Sequence, residues 1–476
     1  MLSLFRTFVA VVLGAVPLVR ADPTYFRSDL GLPKAADFLP VNLGSPENLA
    51  WRTELESGHS TPIINNGRIF LTTSRARDRE LATVCLDATT GKVLWKRALP
   101  VPKVEEYHPE EGNAAMATPA SDGKNIFVFF GSYGVICYDP QGKQVWEHRL
   151  GPFRDEYGAA SSPIIVDDKV ILNEDHDVDS FLMALDRSTG KILWKTPRPN
   201  AVRSYSTPAL WTQGGAKQLL VAGALELAGY DASSGEKLWW VNGLARIVIP
   251  TPLPSGDFVY MASWAPGGDA GQRLALANWD QALLKWDRNK DLRLGKEEVD
   301  DREVLSRFFR MDLDQNELLD QKEWEQHATI FQRAQNALLA IKPEGRGNLG
   351  DDAIRWKHLR GSPYVASPAL HDGVIWMVKD GGLVTKVEAS SGELLQQERL
   401  GATGNYYASP VIADKKVYFA SEPGVVTIAA EERSWRLLGS HAFKEKIFAT
   451  PLVSGDRIYI RTEKALYCFR GTEKVQ

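Results

Sequence analysis

Cysteine is scarce in this chain of 476 residues: there are three, and no two of them are adjacent. A disulfide-rich scaffold is therefore excluded, since such folds need many paired cysteines in a short chain. Long runs of one charge are also absent, because the 56 basic and 60 acidic residues are dispersed along the sequence. This balance offers no electrostatic surface for nucleic acid or an anionic membrane, and we expect neither as a partner.

Only one apolar run stands out, and it lies at the N-terminus. The run from Phe8 to Val19 follows Arg6 and precedes a small-residue pattern that ends at Ala21. This order is typical of a secretory signal peptide, and the run is shorter than the roughly 20 residues that cross a bilayer. We predict a signal peptide over residues 1–21, no transmembrane span, and a mature chain that is periplasmic or secreted.

The sequence is rich in repeats. Ser or Thr, then Pro, then an apolar strand, a Gly/Asp turn and a second strand recur eight times. The spacings between the prolines are 57, 44, 45, 44, 116, 42 and 41, so the unit is about 44 residues long, which indicates a repeat architecture. The prolines are Pro62, Pro119, Pro163, Pro208, Pro252, Pro368, Pro410 and Pro451.

A second motif follows the early copies, as in CLDATTGKVLW, where Asp87 and Gly91 predict a tight turn and Trp95 follows it. A four-stranded sheet cannot bury both faces alone, so we expect sheets to stack radially with a tryptophan at each interface. Most of the 14 tryptophans are then structural. The other copies of the motif end at Trp146, Trp194 and Trp239.

Later copies of the motif are degenerate. Gln396 stands where the sixth tryptophan is expected, and Trp435 follows a seventh copy that lacks the glycine turn. The eighth copy has no tryptophan of its own, but Trp51 lies in a strand-like segment before the first proline. We therefore predict that this N-terminal strand completes the last sheet and closes the ring, which leaves no exposed sheet edge.

These motifs resemble the quinoprotein-type propeller family, named for pyrroloquinoline quinone (PQQ). The resemblance implies an all-β fold, an eight-bladed β-propeller, and covers nearly all of the mature chain except a small α-helical insertion that we predict in blade five. The family includes PQQ-dependent dehydrogenases and non-catalytic propellers such as the outer-membrane-protein assembly factor, and fold does not fix function. A dehydrogenase would be expected to carry an adjacent Cys-Cys pair, together with a glutamate, an asparagine and an aspartate that hold calcium in the ring's centre.

No adjacent cysteine pair exists in this sequence, so we do not expect PQQ as a cofactor. We favour a secreted, non-catalytic binding or scaffolding protein, with a protein, peptide or polysaccharide partner and a monomeric propeller. The alternative is a PQQ-dependent alcohol or sugar dehydrogenase. Cys85, Cys137 and Cys468 occupy equivalent positions of their repeats and are interpreted as packed core residues.

The long spacing between Pro252 and Pro368 contains an insertion, which we place at residues 275–337, between propeller segments 22–274 and 338–476. Two stretches in it, 287–298 and 312–323, have the oxygen spacing of calcium-binding EF-hand loops. A single helix from about Lys296 to Met311 is predicted to serve both loops. An acidic, solvated helical hairpin without metal is the alternative.

The predicted calcium ligands are side chains at loop positions one, three, five, nine and twelve and the backbone carbonyl at position seven. Position six normally holds glycine, but here it holds Leu292 and Glu317, so we expect weak binding. The ligands are Asp287, Asn289, Asp291, Glu298 and the carbonyl of Arg293 in the first loop, and Asp312, Asp314, Asn316, Asp320, Glu323 and the carbonyl of Leu318 in the second.

Two further groups of residues were candidates for binding. His108 and His176 lie in acidic segments, which we interpret as solvated turns in preference to metal sites. The residues that precede the Ser/Thr-Pro steps should gather at one mouth of the central channel, where aromatic and cationic side chains suit a ligand or peptide. These are His59, Tyr157, Tyr205, Arg246, Tyr364 and Tyr406.

Overall fold

The computed structural model describes residues 24–29, 38–75, 79–101, 107–269 and 276–471. In this part of the chain, eight antiparallel sheets follow one another in sequence, and the eight-bladed propeller prediction is confirmed. The predicted signal peptide lies outside the described residues. No helix among the described residues is long and apolar enough to span a membrane.

The first four blades are built from consecutive strands. An N-terminal strand, β1 (Leu49–Glu54), precedes them. Blade one comprises β2 (Ile63–Asn65), β3 (Arg68–Arg75), β4 (Glu80–Asp87) and β5 (Val93–Pro100), and blade two comprises β6 (Ala120–Ser121), β7 (Ile126–Phe129), β8 (Gly134–Tyr138) and β9 (Gln144–Arg149). Blade three comprises β10 (Ile164–Val166), β11 (Lys169–Glu174), β12 (Phe181–Asp186) and β13 (Ile192–Pro197), and blade four β14 (Ala209–Gln213), β15 (Ala216–Gly223), β16 (Glu226–Asp231) and β17 (Lys237–Asn242).

Blade five is interrupted after its second strand, as predicted. It begins with β18 (Leu253–Ser255) and β19 (Phe258–Ser263). The insertion follows, with α1 (Trp279–Trp286), β20 (Leu294–Gly295), α2 (Arg302–Met311), β21 (Leu318–Leu319) and α3 (Gln321–Arg333). Blade five resumes with β22 (Ala337–Ile341) and ends with β24 (Ile354–His358), while the short β23 (Gly347–Asn348) pairs in parallel with β17 of blade four.

The last three blades return to the regular order, and the chain then closes the ring. Blade six comprises β25 (Ala369–His371), β26 (Val374–Lys379), β27 (Leu383–Glu388) and β28 (Leu394–Arg399), and blade seven β29 (Val411–Ala413), β30 (Lys416–Ala420), β31 (Val425–Ala430) and β32 (Leu437–Ala442). Blade eight has β33 (Leu452–Ser454), β34 (Arg457–Arg461) and β35 (Ala465–Arg470), and β1 is its fourth strand. Trp51 pairs with Cys468, which confirms closure by the N-terminal strand.

Tryptophans join neighbouring blades as the motif predicts. The ring of Trp95 in blade one lies against Gly142 in blade two, where a Cβ would come within 2.7 Å of the indole, and its Nε1–H donates to the carbonyl of Pro140 at 2.9 Å. Only glycine fits this approach, and Gly142 also has a positive φ of 80°. Equivalent contacts join Trp51 to Gly91, Trp146 to Gly190, Trp194 to Gly235 and Trp356 to Gly392.

Three blade interfaces depart from this scheme, and in one of them, at blade seven, Gly439 holds the register position of the tryptophans. Trp239 of blade four donates to Gln218 of its own blade at 2.7 Å, because blade five has β23 in place of an Asp/Gly turn. In blade six, Gln396 replaces the tryptophan and Lys386 lies opposite it. The buried ammonium of Lys386 donates to three carbonyls of the blade-seven turn, those of Glu432, Arg433 and Ser434, at 2.9, 2.6 and 3.3 Å.

The helix between the two loops of the insertion is shorter than we predicted. Helix α2 begins at Arg302, not near Lys296, because the Asp301 side chain caps it by accepting from the backbone N–H groups of Glu303 and Val304. The preceding residues stay in the loop, where the Glu298 carboxylate accepts backbone hydrogen bonds. A separate core holds the helices together, with Trp279, Trp286, Phe308 and Trp324 buried in it.

Candidate functional site

A belt of Ser and Thr side chains surrounds the central channel. The residue before each repeat proline donates its backbone N–H to the hydroxyl of the corresponding residue in the next blade, at 2.9–3.2 Å, in seven of the eight steps. The exception is the step from Thr207 to Thr251, because the buried hydroxyl of Thr251 has no hydrogen-bond partner among the described residues. The recurrence of Ser/Thr before Pro was visible in the sequence, but its role in joining blades was not recognised. The belt runs through Thr61, Thr118, Ser162, Thr207, Thr251, Ser367, Ser409 and Thr450.

 Inside this belt the channel retains a cavity of about 150 Å³. Ligand pockets usually measure about 300–1,000 Å³, so this channel cavity is small. Phe26, from the N-terminal segment 24–29, contributes to its wall. That segment is held in place because Arg27 donates to the carbonyl of Pro368, and Ser121 N–H donates to the carbonyl of Thr24 at 2.6 Å.

Four of the six predicted mouth residues line the channel cavity: His59, Tyr157, Tyr205 and Tyr364. The other two do not. Tyr406 is buried in the core between blades six and seven, and its hydroxyl donates to the carbonyl of Ala402 at 3.1 Å.

Tyr407 takes the place in the channel that was predicted for Tyr406. Successive side chains in an extended segment point to opposite sides. A prediction that is wrong by one residue therefore selects the tyrosine that points away from the channel. Arg246 lines a different cavity, between the propeller and the insertion.

The channel cavity is aromatic in character. The rings of His59 and Phe448 stack at a centroid distance of 3.7 Å, and Tyr407 stacks on Phe448 at 5.3 Å. Glu111 is a carboxylate in the wall, and burial raises its pKa. Burial, followed by the positive charges of Arg461 and Lys446, lowers the pKa of His59 to about 3, so its imidazole is neutral.

These channel residues do not fit PQQ and its calcium ion. The cavity has aromatic walls and about 150 Å³ of space, with Phe26 inside it. Among the described residues, the group of three acidic or ligating side chains close enough to share a cation lies in the insertion, not in the channel. We therefore derive no chemistry through a quinone at this position.

The two loops of the insertion have closely similar geometry. In the first loop, Glu298 accepts from the backbone N–H groups of Arg288 at 3.0 Å and Gly295 at 2.9 Å. In the second, Glu323 accepts from those of Leu313 at 2.7 Å and Asp320 at 3.1 Å. The position-twelve carboxylate thus folds back over its own loop in both cases.

A short antiparallel contact couples the loops, because Leu294 pairs with Leu319 and both side chains are fully buried. The position-six residues adopt the positive φ for which this loop position normally uses glycine: φ is 63° at Leu292 and 68° at Glu317. Side chains with a Cβ are strained in this left-handed region, which costs about 1–2 kcal/mol. Each loop therefore keeps its turn in spite of an unfavourable residue at position six.

The second loop gathers its carboxylates more closely than the first. Asp312, Asp314 and Glu323 place oxygen atoms within 4.8 Å of one another. Burial is the main cause that raises the pKa of Asp312 and of Glu323, because a charged carboxylate loses hydration there. The Asp320 side chain already serves as a helix cap: it accepts a hydrogen bond from the N–H of Glu323 at 2.8 Å at the start of α3.

His176 is not in a solvated turn, contrary to our interpretation. It is 2% exposed, its Nε2 lies 3.3 Å from Glu174, and its Nδ1 lies 3.9 Å from Asp155. Burial acts to lower its pKa, but the two carboxylates outweigh burial and raise it to about 10. A protonated imidazole between two carboxylates is a buried ion cluster, not a metal ligand. His108 is half-buried and stacks on Tyr157 at 5.4 Å.

Comparison with known proteins places the repeats in a family. The family model described as "Outer membrane protein assembly factor BamB" matches residues 80–246 and 346–474, more than half of the chain. The insertion lies between the two matched segments. The assembly factor BamB of Yersinia pestis is 22% identical over 405 residues, which cover 79% of this chain and 87% of that protein.

Quinoproteins are also similar to part of the chain. The quinohemoprotein alcohol dehydrogenase ADH IIB of Pseudomonas putida is 26% identical over 163 residues, and the match spans 31% of this chain but only 21% of that enzyme. The quinone alcohol dehydrogenase subunit of Gluconobacter oxydans (strain 621H) is 30% identical over 163 residues, and the match spans 20% of it. The chain thus matches about a fifth of the length of these enzymes.

Solved structures of a BamB protein and of a dehydrogenase both superpose on this chain. BamB from Moraxella catarrhalis superposes with a TM-score of 0.56 at 12% identity, covering 89% of this chain and 99% of that one. A europium-containing methanol dehydrogenase gives the same TM-score of 0.56 at 10% identity, covering 92% and 95%. At such identities the likeness shows the fold alone. Because the family model matches both halves of the propeller, this chain belongs to the family described as outer membrane protein assembly factor BamB.

Proposed function

We propose that this chain is a non-catalytic propeller that binds protein partners outside the cytoplasm. The observation that carries the proposal is the narrow channel: aromatic side chains and Phe26 leave about 150 Å³, so the outer faces offer the larger surfaces for binding. The family and the Yersinia pestis relative are both named as outer-membrane protein assembly factors, which supports a protein partner. The predicted signal peptide supports the same location.

The insertion is the favoured part of the partner surface. Leu284 on α1 is 91% exposed, Leu292 in the first loop is 68% exposed, and Phe309 on α2 is 54% exposed. Phe309 lies one helical turn beyond Leu305, which is also exposed, so α2 presents apolar side chains to solvent. Exposed apolar groups of this size are typical of surfaces that bind other proteins.

Calcium binding by the insertion is the second element of the proposal. Both loops offer only oxygen ligands, which suit a hard cation such as calcium. The closely spaced carboxylates of Asp312, Asp314 and Glu323, of which Asp312 and Glu323 are buried, repel one another, and a cation would relieve this repulsion. Calcium would then order the surface that carries Leu284 and Phe309.

A genetic experiment tests the binding function. Loss of the gene in the source organism should lower the amount of folded outer-membrane protein, and the wild-type gene should restore it. A Leu284→Ser, Phe309→Ser double variant should restore it poorly, whereas Leu394→Ser, at an exposed rim position of blade six, should restore it fully. Normal outer-membrane protein levels without the gene would contradict the proposal.

The alternative is a quinone-dependent alcohol dehydrogenase, which the partial match to ADH IIB favours. Purified protein mixed with PQQ and calcium should show neither a stoichiometric quinone absorption band nor reduction of an electron-accepting dye when alcohols or sugars are added. A band accompanied by turnover would replace our proposal with the enzymatic one.

A further inference from the structure

A cavity of about 290 Å³ lies between the propeller and the helical insertion, and arginines dominate its wall. Arg203 and Arg246 reach it from loops of the propeller, and Arg307 and Arg310 reach it from α2. His327 and Phe331 of α3 also line it, together with the carboxylate of Glu323, the position-twelve residue of the second loop. The volume corresponds to roughly ten water-sized groups at about 30 Å³ each, which suits a compact small molecule.

Two of the four arginines are already neutralised. Arg203 forms ion pairs with Asp177 and, at 3.2 Å, with Glu156. Arg310 lies 3.7 Å from Glu156, and its side chain is 46% exposed. These two side chains therefore shape the cavity wall, but they contribute little positive charge that is free to bind an anion.

Arg246 and Arg307 are different, because neither forms an ion pair with a carboxylate among the described residues. Arg246 donates its Nε–H to the carbonyl of Pro266 at 2.9 Å, a neutral acceptor. The Nη1 group of Arg307 is buried and has no hydrogen-bond partner in the described part of the chain. A buried guanidinium without an acceptor is costly, so the structure leaves unused donors beside the cavity.

His327 adds an unused polar atom to the same wall. The residue is 8% exposed, and its Nε2 has no hydrogen-bond partner within the described ranges. Its ring contacts Phe331 at a centroid distance of 4.4 Å. The guanidinium groups of Arg307 and Arg246 lie 5.3 and 5.6 Å from the Phe331 ring, so the aromatic side chain holds both cations at the cavity.

We propose that this cavity binds a small organic oxyanion, a carboxylate or a phosphate ester with a compact apolar body. Arg246 and Arg307 supply the donors for the oxygens, since guanidinium groups bind such oxygens with paired N–H groups. His327 Nε2 and the Phe331 ring contact the rest of the molecule. Because the arginines come from both the propeller and the insertion, the bound anion joins the two parts.

This site is independent of the proposed partner binding, and its test uses small probes on the full chain. Benzoate and phenyl phosphate represent the carboxylate and the phosphate ester, and benzamide is the neutral isostere of benzoate. We expect calorimetric titration to detect benzoate or phenyl phosphate at about 1 mM or below, and benzamide to bind at least about tenfold more weakly. The tighter of the two anions identifies which oxyanion the site takes.

Variants locate the binding. Arg246→Gln and Arg307→Gln should each weaken the anion about tenfold or more, since each removes a charged donor. Arg302→Gln is the matched control, because Arg302 is an exposed residue of the same helix that does not line the cavity. Arg246→Gln changes the propeller side only, so it remains informative if a change in α2 impairs folding of the insertion.

Three results would overturn the proposal: no heat from either anion at about 10 mM, benzamide binding as tightly as benzoate, or Arg302→Gln weakening binding as much as Arg307→Gln.

Discussion

The indole of Trp51 lies so close to Gly91 that a Cβ on this glycine would come within 2.4 Å of the ring. Trp51 belongs to β1, the outer strand of blade eight, whereas Gly91 belongs to the turn of blade one. The contact therefore joins the beginning of the chain, its last blade and its first blade at one point. The same relationship recurs between Trp95 and Gly142. The ring is therefore closed by the same kind of tryptophan–glycine contact that joins blades one and two.

We expect Trp51→Ala to lower the free energy of unfolding by about 2–3 kcal/mol, because a half-buried ring leaves the closure interface. Leu94→Ala, at an exposed position of β5, is the control and should change stability by less than about 0.5 kcal/mol. Denaturant midpoints measure both.

Removal of residues 22–56 should be more severe, since it exposes the edge of β35 and favours aggregation. A truncated protein that stays monomeric and keeps its melting temperature would show that β1 does not close the ring.

The Ser/Thr belt offers a matched pair of substitutions. The hydroxyl of Thr207 accepts from Ser162 N–H at 3.0 Å, and that of Thr251 has no partner in the described structure, while both residues are 2% exposed. Thr207→Val should cost about 1–3 kcal/mol, because it leaves a buried N–H without an acceptor. Thr251→Val should be neutral or stabilising, as an unpaired hydroxyl is replaced by a methyl group. Thermal unfolding of both variants measures the two changes in stability. Equal changes would argue against a role for the belt in joining the blades.

Calorimetric calcium titration tests the loops. We expect dissociation constants on the order of 10⁻⁴ M or above, in the range of extracellular modules, with the second loop tighter because its carboxylates are already close together. Glu298→Gln and Glu323→Gln should each remove one site, while Glu325→Gln, an exposed position on α3, should remove neither.

Position six provides a sharper test of the same loops. Leu292→Gly should tighten the first site about tenfold, because glycine adopts a φ of 63° without strain. The loop interpretation is wrong if wild-type protein gives no calcium heat at millimolar concentration, and the strain argument is wrong if Leu292→Gly leaves the affinity unchanged.

The buried ion cluster around His176 predicts a specific pH dependence. Its pKa is raised to about 10 in the folded state against an ordinary value of 6.5. The stability that its charge contributes is therefore full below pH 6.5 and is lost as the pH rises from 6.5 towards 10.

We expect His176→Gln to cost about 3 kcal/mol at pH 6, because it removes the cation between Asp155 and Glu174, and less at pH 9.5. Chemical unfolding of both proteins at the two pH values measures the difference. A cost that stays constant or grows with pH would show that His176 is neutral in the folded protein.

Much of the fold could be predicted because its determinants are local and repeated. The Asp87-to-Gly91 turn closes within a few residues through bonds from Thr89 and Thr90 to the Asp87 carboxylate, so a short motif suffices to specify it. The same holds for the calcium-type loops, whose backbone turns at Leu292 and Glu317 follow from spacing within twelve residues. Periodicity then gave the number of blades, and the missing last tryptophan indicated closure by Trp51.

Other features depended on contacts between segments that no motif connects. Whether Tyr406 or Tyr407 faces the channel depends on how the irregular segment before Pro410 enters the ring. Likewise, Arg246 was predicted to lie at the channel mouth, but the insertion folds back and encloses it with Arg307. His176 is buried because Phe153 stacks on it at 3.9 Å from another loop.

The sequence by itself therefore determined the repeat, the blade count and the position of the insertion, since each rests on hydrogen bonds and apolar periodicity between near neighbours in the chain. The closing strand followed from the same repeat count, because the last copy lacks a tryptophan and Trp51 supplies one. Only the tertiary structure decided the narrow channel, the Ser/Thr belt and the arginine-lined cavity. Each of these requires side chains from distant segments to meet, and their distances are set by the stacking of whole blades and by the docking of the helices against them.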